Sequence, residues 1–171
     1  MRRLNRLSYR HVYLFGFAVC AFLFIASLFF EFALGLTPCP LCIMQRLSVL
    51  FLGLFMLAAI FHNPAHIGQK IYGTLIFLLA VLGAAVALRQ VWLQIMPQAL
   101  PPSCGASLMY MLKTLPLNQT LHLLLQGSGD CAEVTWRFLG LSMAGWMALF
   151  FGFFAILAVW QTLRKPLHNI R

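Results

Sequence analysis

Four apolar stretches, at residues 11–30, 43–61, 72–93 and 141–160, leave this chain of 171 residues few ways to fold. About 20 apolar residues in helical form cross the hydrocarbon core of a bilayer, and each stretch has about that length. Inside hydrocarbon every backbone N–H and C=O needs a partner within the protein, which a single apolar run supplies only as a helix. Hydrophobic residues make up 62% of the chain and charged residues 9%, with mean hydropathy +0.88, more than a water-facing surface tolerates. The expected fold is an all-α integral membrane protein: one membrane domain over 1–171, built as a four-helix transmembrane bundle. The N-terminus imitates a signal peptide, but its apolar run is too long and no cleavage pattern follows, so it reads as a retained helix.

An even number of spans puts both termini on one side, and the basic residues say which. Arg2, Arg3, Arg6, Arg10, Lys70, Arg164, Lys165 and Arg171 all fall on the termini or the link between the second and third spans, with no acid among them. The three acids, Glu31, Asp130 and Glu133, lie toward the opposite face. By the positive-inside rule the termini are cytoplasmic and the loops at about 31–42 and 94–140 face outward. The net charge of +9 is thus a topology signal and not a nucleic-acid footprint. The second outer loop is long enough to carry structure or function of its own. Pro97, Pro101 and Pro102 keep its start extended. Residues 115–125 are apolar but too few to span, as in a short helix lying in the interface. Asp130 and Glu133 have capping-box spacing, which would start a further turn at Cys131.

Four of the five cysteines, Cys39, Cys42, Cys104 and Cys131, fall at span ends or in these outer loops. Cys20 lies inside the first span and reads as a small buried hydrophobe. Cys39-Pro40-Leu41-Cys42 is a C-x-x-C in which Pro40 suits the first helical position. That makes Cys39 the cap and puts Cys42 over unpaired N–H groups at the positive end of the helix dipole, which favours a thiolate. Arg46 is one turn further along the same face. An arginine inside a span costs roughly 2.5–3.5 kcal/mol or more unless paired, so it calls for a thiolate, or the polarised carbonyl of a bound quinone, unless it snorkels to the interface. Gln90 and Gln94 share a face near the outer end of the third span and could hydrogen-bond a ligand headgroup. The pattern favours a redox relay, with two static disulfides or a zinc site as alternatives. The wide separation of Cys104 and Cys131 is unlike a second zinc-binding C-x-x-C.

In these residues the chain resembles the DsbB family of bacterial disulfide bond formation proteins. The matching features are Cys39-Pro40-Leu41-Cys42-Ile43 with Arg46, Val91-Trp92-Leu93-Gln94, Cys104, and Gly127-Ser128-Gly129-Asp130-Cys131-Ala132-Glu133 followed by Trp136 and Phe138-Leu139-Gly140-Leu141. The resemblance spans essentially the whole chain. It implies a bacterial inner-membrane thiol:quinone oxidoreductase that reoxidises a DsbA-like periplasmic thiol oxidase and passes electrons to ubiquinone or menaquinone, the established route by which the periplasm is kept oxidising. Carried over, Cys104 would take the attack of the partner's thiolate and Cys131 would resolve it. Cys39 would receive the electrons, and Cys42 would face the quinone beside Arg46. One departure is Gln90, where relatives often have histidine. DsbA-type oxidants sit at about −120 mV, beyond most dithiols, which is why a quinone acceptor makes chemical sense.

Two other functions fit part of the pattern. A vitamin K epoxide reductase-like enzyme also combines a helical bundle, a C-x-x-C and loop cysteines, but that family's loop pair precedes its C-x-x-C. A non-enzymatic membrane protein held by structural disulfides would leave the thiols inert.

Overall fold

A computed structural model describes residues 9–35, 39–62, 64, 66–96, 116, 119, 131, 134 and 137–163. Four long helices account for nearly all of them: α1 Tyr9–Leu34, α2 Pro40–His62, α3 His66–Ile95 and α4 Met143–Leu163. At 1.5 Å per residue each is roughly 30–45 Å long, and all four are long and apolar enough to cross a membrane. The chain is a multi-pass membrane protein with a four-helix fold. The expected interfacial helix at 115–125 lies outside the described residues apart from Pro116 and Gln119, where the Gln119 N–H meets the Pro116 carbonyl at 3.0 Å. Cys104, Asp130 and Glu133 also lie outside them.

Neighbours in sequence are neighbours in space: α1 packs on α2, α2 on α3 and α3 on α4. The outer surface is as apolar as the interior. Phe15, Phe22 and Phe29 of α1 are spaced by seven and all exposed, as side chains that meet lipid should be. What distinguishes the inner face is size. Along α3 the buried positions Gly73, Ile76, Ala80, Gly83, Ala87 and Gln90 recur at intervals of three and four, the spacing of a helix-packing seam. Small residues there let neighbouring backbones approach closely, because apolar burial alone gives no drive for helices to associate within lipid. At Gly73 and Gly83 the approach is close: a Cβ would collide with Thr162 at the first and with the ring of Phe151 at the second, both from α4. Phe151, Phe154, Leu52 and Met56 fill the centre of this core.

The last span begins later than its hydropathy implies. Leu141, expected to open it, instead pairs with Phe138 in a two-stranded antiparallel hairpin, β1 Arg137–Phe138 and β2 Leu141–Ser142. The two-residue turn puts Leu139 at φ 51° and Gly140 at φ 81°, the positive values that tight hairpin turns require. Gly140 adopts this freely; Leu139 does so at about 1–2 kcal/mol. Ser142 then caps α4, its Oγ accepting the Gly145 N–H at 3.3 Å. A hydropathy window cannot see this break, because the hairpin residues Phe138, Leu139 and Leu141 are as apolar as the helix they precede. The Trp146 indole N–H fastens the hairpin over the first turn of α4 by donating to the Phe138 carbonyl at 3.1 Å.

Candidate functional site

The N-terminus of α2 organises the site. Pro40 is the first helical residue, and the Ile43 N–H donates to the Cys39 carbonyl at 3.1 Å, closing the first turn. Cys39 caps that turn with sulfur: its Sγ accepts the Cys42 N–H at 3.3 Å. The i,i+3 spacing brings the two sulfurs to 2.7 Å from each other. Cys39 is buried and Cys42 only partly so.

A third sulfur joins them. Cys131, fully buried, packs with Cys39, Leu41 and Leu93 in a small cluster separate from the main core, against which Cys42 and Val86 rest. Three of the four cysteines expected to be redox-active thus converge, although Cys131 is 89 positions further along the chain than Cys42. Hydrogen bonding with Cys131, then with Cys42, and then burial push the Cys39 thiol far above its ordinary range. In the reduced protein Cys39 holds its proton.

A polar chain backs the sulfurs. Gln90 of α3, buried at 6% exposure, points its amide nitrogen at Cys42 Sγ (3.3 Å) and at Cys39 Sγ (3.5 Å). Its carbonyl oxygen accepts from Gln45 Nε2 at 2.7 Å. Gln90 therefore serves the sulfurs, whereas its place on the third span pointed only to a ligand headgroup. Gln94, on the same helical face, is occupied elsewhere: the Ser142 hydroxyl donates to its Oε1 at 2.6 Å, tying the hairpin to the end of α3.

Arg46 finds partners that its position on α2 does not reveal. It forms an ion pair with Glu31 of α1 and donates to the Ser27 carbonyl at 3.1 Å. The charge of a half-buried arginine near a span end is thereby balanced without the sulfurs. Glu31, Ser27 and Gln45 are the residues that sequence reasoning missed. Gln45 carried a signal all the same, as a polar residue in the buried stripe Leu41, Gln45, Val49 and Leu52 of α2. So did Glu31, as the acid closest to the C-x-x-C.

The family model for disulfide bond formation protein DsbB matches residues 9–161. The disulfide bond formation protein B of Saccharophagus degradans is 48% identical over 158 residues, covering 92% of this chain and 95% of the relative. Those of Nitrosococcus oceani and Marinobacter nauticus are 44% and 46% identical, covering 91% and 90% of this chain and 92% of each relative. The chain belongs to the DsbB family of disulfide bond formation proteins.

Proposed function

We propose that this protein is a thiol:quinone oxidoreductase of the bacterial inner membrane, with both termini in the cytoplasm, that reoxidises a DsbA-like periplasmic thiol oxidase. The observation that carries this reading is the convergence of Cys39, Cys42 and Cys131 at the N-terminus of a membrane-spanning helix. In the oxidised protein one disulfide joins Cys104 to Cys131 and another joins Cys39 to Cys42. The partner's thiolate attacks Cys104, and the S–S electron pair leaves on Cys131. When the partner's second thiolate resolves that mixed disulfide, the partner departs oxidised and Cys104 is left reduced. Cys131 then attacks Cys39, the electron pair moves to Cys42, and Cys104 resolves the Cys39–Cys131 bond, restoring the loop disulfide. The net result is one partner disulfide formed and one Cys39/Cys42 dithiol.

The groups around Cys42 fit a quinone carbonyl. Cys42 and Arg46 are both partly exposed at the end of a span, and Glu31 and the Ser27 carbonyl occupy only part of the five-donor guanidinium fork. Cys42 and Arg46 would hold the headgroup, with Gln90 behind the sulfur and Gln94 anchoring the hairpin. A quinone bound there would take up two electrons and two protons as the Cys39–Cys42 disulfide re-forms.

The test uses the purified full chain, a reduced thioredoxin-like partner, and ubiquinone and menaquinone analogues in parallel, with quinone absorbance followed in time. Stoichiometric quinone loss and partner oxidation that Cys42→Ser abolishes is the expected result. Partner oxidation that proceeds without any quinone reduction would sink the reading.

A further inference from the structure

The Gln45–Gln90 pair has a polarity that the sulfurs impose. A thiolate accepts hydrogen bonds and donates none, so Gln90 must turn its NH2 toward Cys42, as it does at 3.3 Å. Its Oε1 is then directed away from the sulfurs, and whatever faces that oxygen must be a donor. Gln45 meets the requirement with its Nε2 at 2.7 Å. Both glutamines are buried, at 5% and 6% exposure, so neither amide end exchanges its partner for water at little cost. Arg46, the nearest cation along α2, directs donors to Glu31 and the Ser27 carbonyl of α1. A neutral amide is thus a donor aimed at Cys42 from outside its own helix turn.

We propose that Gln45 is a positioning residue for Gln90, holding its amide in the one orientation that donates to Cys42 and so stabilising the thiolate released when the Cys39–Cys42 disulfide opens. This rests on the reading of Cys42 as the sulfur that carries the electron pair. The two side chains form a directional relay across the α2–α3 interface: donor end of Gln45, acceptor and then donor ends of Gln90, acceptor sulfur. The sulfur selects that direction and Gln45 holds it by satisfying the Gln90 Oε1, because Gln90 can otherwise rotate its amide by half a turn with almost no change in shape. A group at position 45 that only accepts would therefore reverse the relay while leaving the packing nearly intact.

Gln45→Glu is that reversal. Once ionised, its carboxylate draws the Gln90 NH2 toward itself and leaves Oε1 facing the sulfur; burial favours the protonated carboxyl, which would donate as Gln45 does, so the comparison is made across a pH range. Gln45→Met removes the constraint without reversing it. Gln90→His in the Gln45→Glu background restores the direction, since an imidazolium donates from both ring nitrogens. The experiment measures the rate of iodoacetamide alkylation at Cys42 between pH 6 and pH 9, by peptide mapping of the fully reduced full chain in nanodiscs. The thiolate is the reacting species, and a hydrogen bond to a charged sulfur exceeds one to a neutral sulfur by an amount that shifts the thiol–thiolate equilibrium by about two- to thirtyfold. Expected rates fall by about that factor in Gln45→Glu, by less in Gln45→Met, and return most of the way in the double variant. Thermal melting of each variant separates loss of fold from loss of orientation. Alkylation of folded Gln45→Glu at the wild-type rate across that pH range, or no recovery in the double variant, overturns the proposal. No quinone or partner is needed, so failure of the electron-transfer reading shows in the quinone assay while this ordering stands or falls by itself.

Discussion

The amide of Gln90 and the sulfur of Cys42 lie 3.3 Å from each other, although 48 positions separate the two residues in the chain. The contact crosses the α2–α3 interface and leaves Gln90 facing the sulfurs, with Cys39 Sγ also 3.5 Å from its nitrogen. A hydrogen bond to a charged group contributes about 1.5–3 kcal/mol and a neutral one about 1 kcal/mol. Gln90→Ala should therefore lower kcat by roughly tenfold or more while leaving KM for the quinone close to the wild-type value. Gln94→Ala, which removes the hydrogen bond from the Ser142 hydroxyl, should change kcat by less than about threefold. A rise in KM with unchanged kcat for Gln90→Ala would place the amide on the quinone instead.

Cys39 and Cys42 should differ in reactivity because the Cys39 thiol is pushed far upward, first by Cys131, then by Cys42 and by burial. A raised value means the neutral, unreactive form persists as pH increases. In the reduced protein iodoacetamide should modify Cys42 well before Cys39 at pH 8. Cys131→Ala removes the largest of the upward causes, so Cys39 should then react at a lower pH than in the wild type. Equal labelling of the two sulfurs at pH 8, read by mass spectrometry, would contradict this.

Glu31 and Arg46 are expected to behave as a pair. Arg46→Ala leaves the Glu31 carboxylate unpaired at a span end and should lower the melting temperature in detergent. Removing both charges with Arg46→Ala and Glu31→Gln should recover part of that loss. Because both side chains are partly exposed, the coupling should be about 1 kcal/mol or less. Arg46→Lys should restore the charge but only part of any quinone affinity, since a point charge lacks the planar fork. Additive effects in the double-mutant cycle would mean the pair contributes nothing to stability.

At Gly83 the ring of Phe151 occupies the space a side chain would need. Gly83→Val should destabilise the bundle by about 1–3 kcal/mol through overpacking. Phe151→Leu in the same chain should relieve part of that cost. If Gly83→Val melts like the wild type, the seam is looser than the geometry shows.

The order of electron flow predicts a trappable complex. With Cys131→Ser and a partner lacking its own resolving cysteine, a mixed disulfide through Cys104 should accumulate, since no neighbouring thiolate resolves it. Adding Cys104→Ser should abolish the complex, while Cys42→Ser should leave it intact. A cross-link mapped to Cys39 or Cys42 would reverse the order of the two cysteine pairs.

The four helices were legible in the sequence because lipid imposes a simple rule: an apolar run of about 20 residues satisfies its own backbone only as a helix. The C-x-x-C at the start of α2 was equally legible, since Pro40 and the cap at Cys39 are local features of a helix terminus. The hairpin before α4 was not, because its apolar residues match the helix in hydropathy and only Gly140 and Ser142 mark the break.

What the sequence by itself determined is the set of spans and the type of chemistry, both of which depend on residues near one another in the chain. Only the tertiary structure decided the partners. Gln90 turned out to serve Cys42 and Gln45, Gln94 to hold Ser142, Arg46 to pair with Glu31, and Cys131 to lie against Cys39. Each of these contacts joins separate elements. Which polar groups meet there depends on how the helices rotate and approach, and that follows from the seam of small residues along α3 and from burial, which leaves each inward-facing polar atom only the partners within reach.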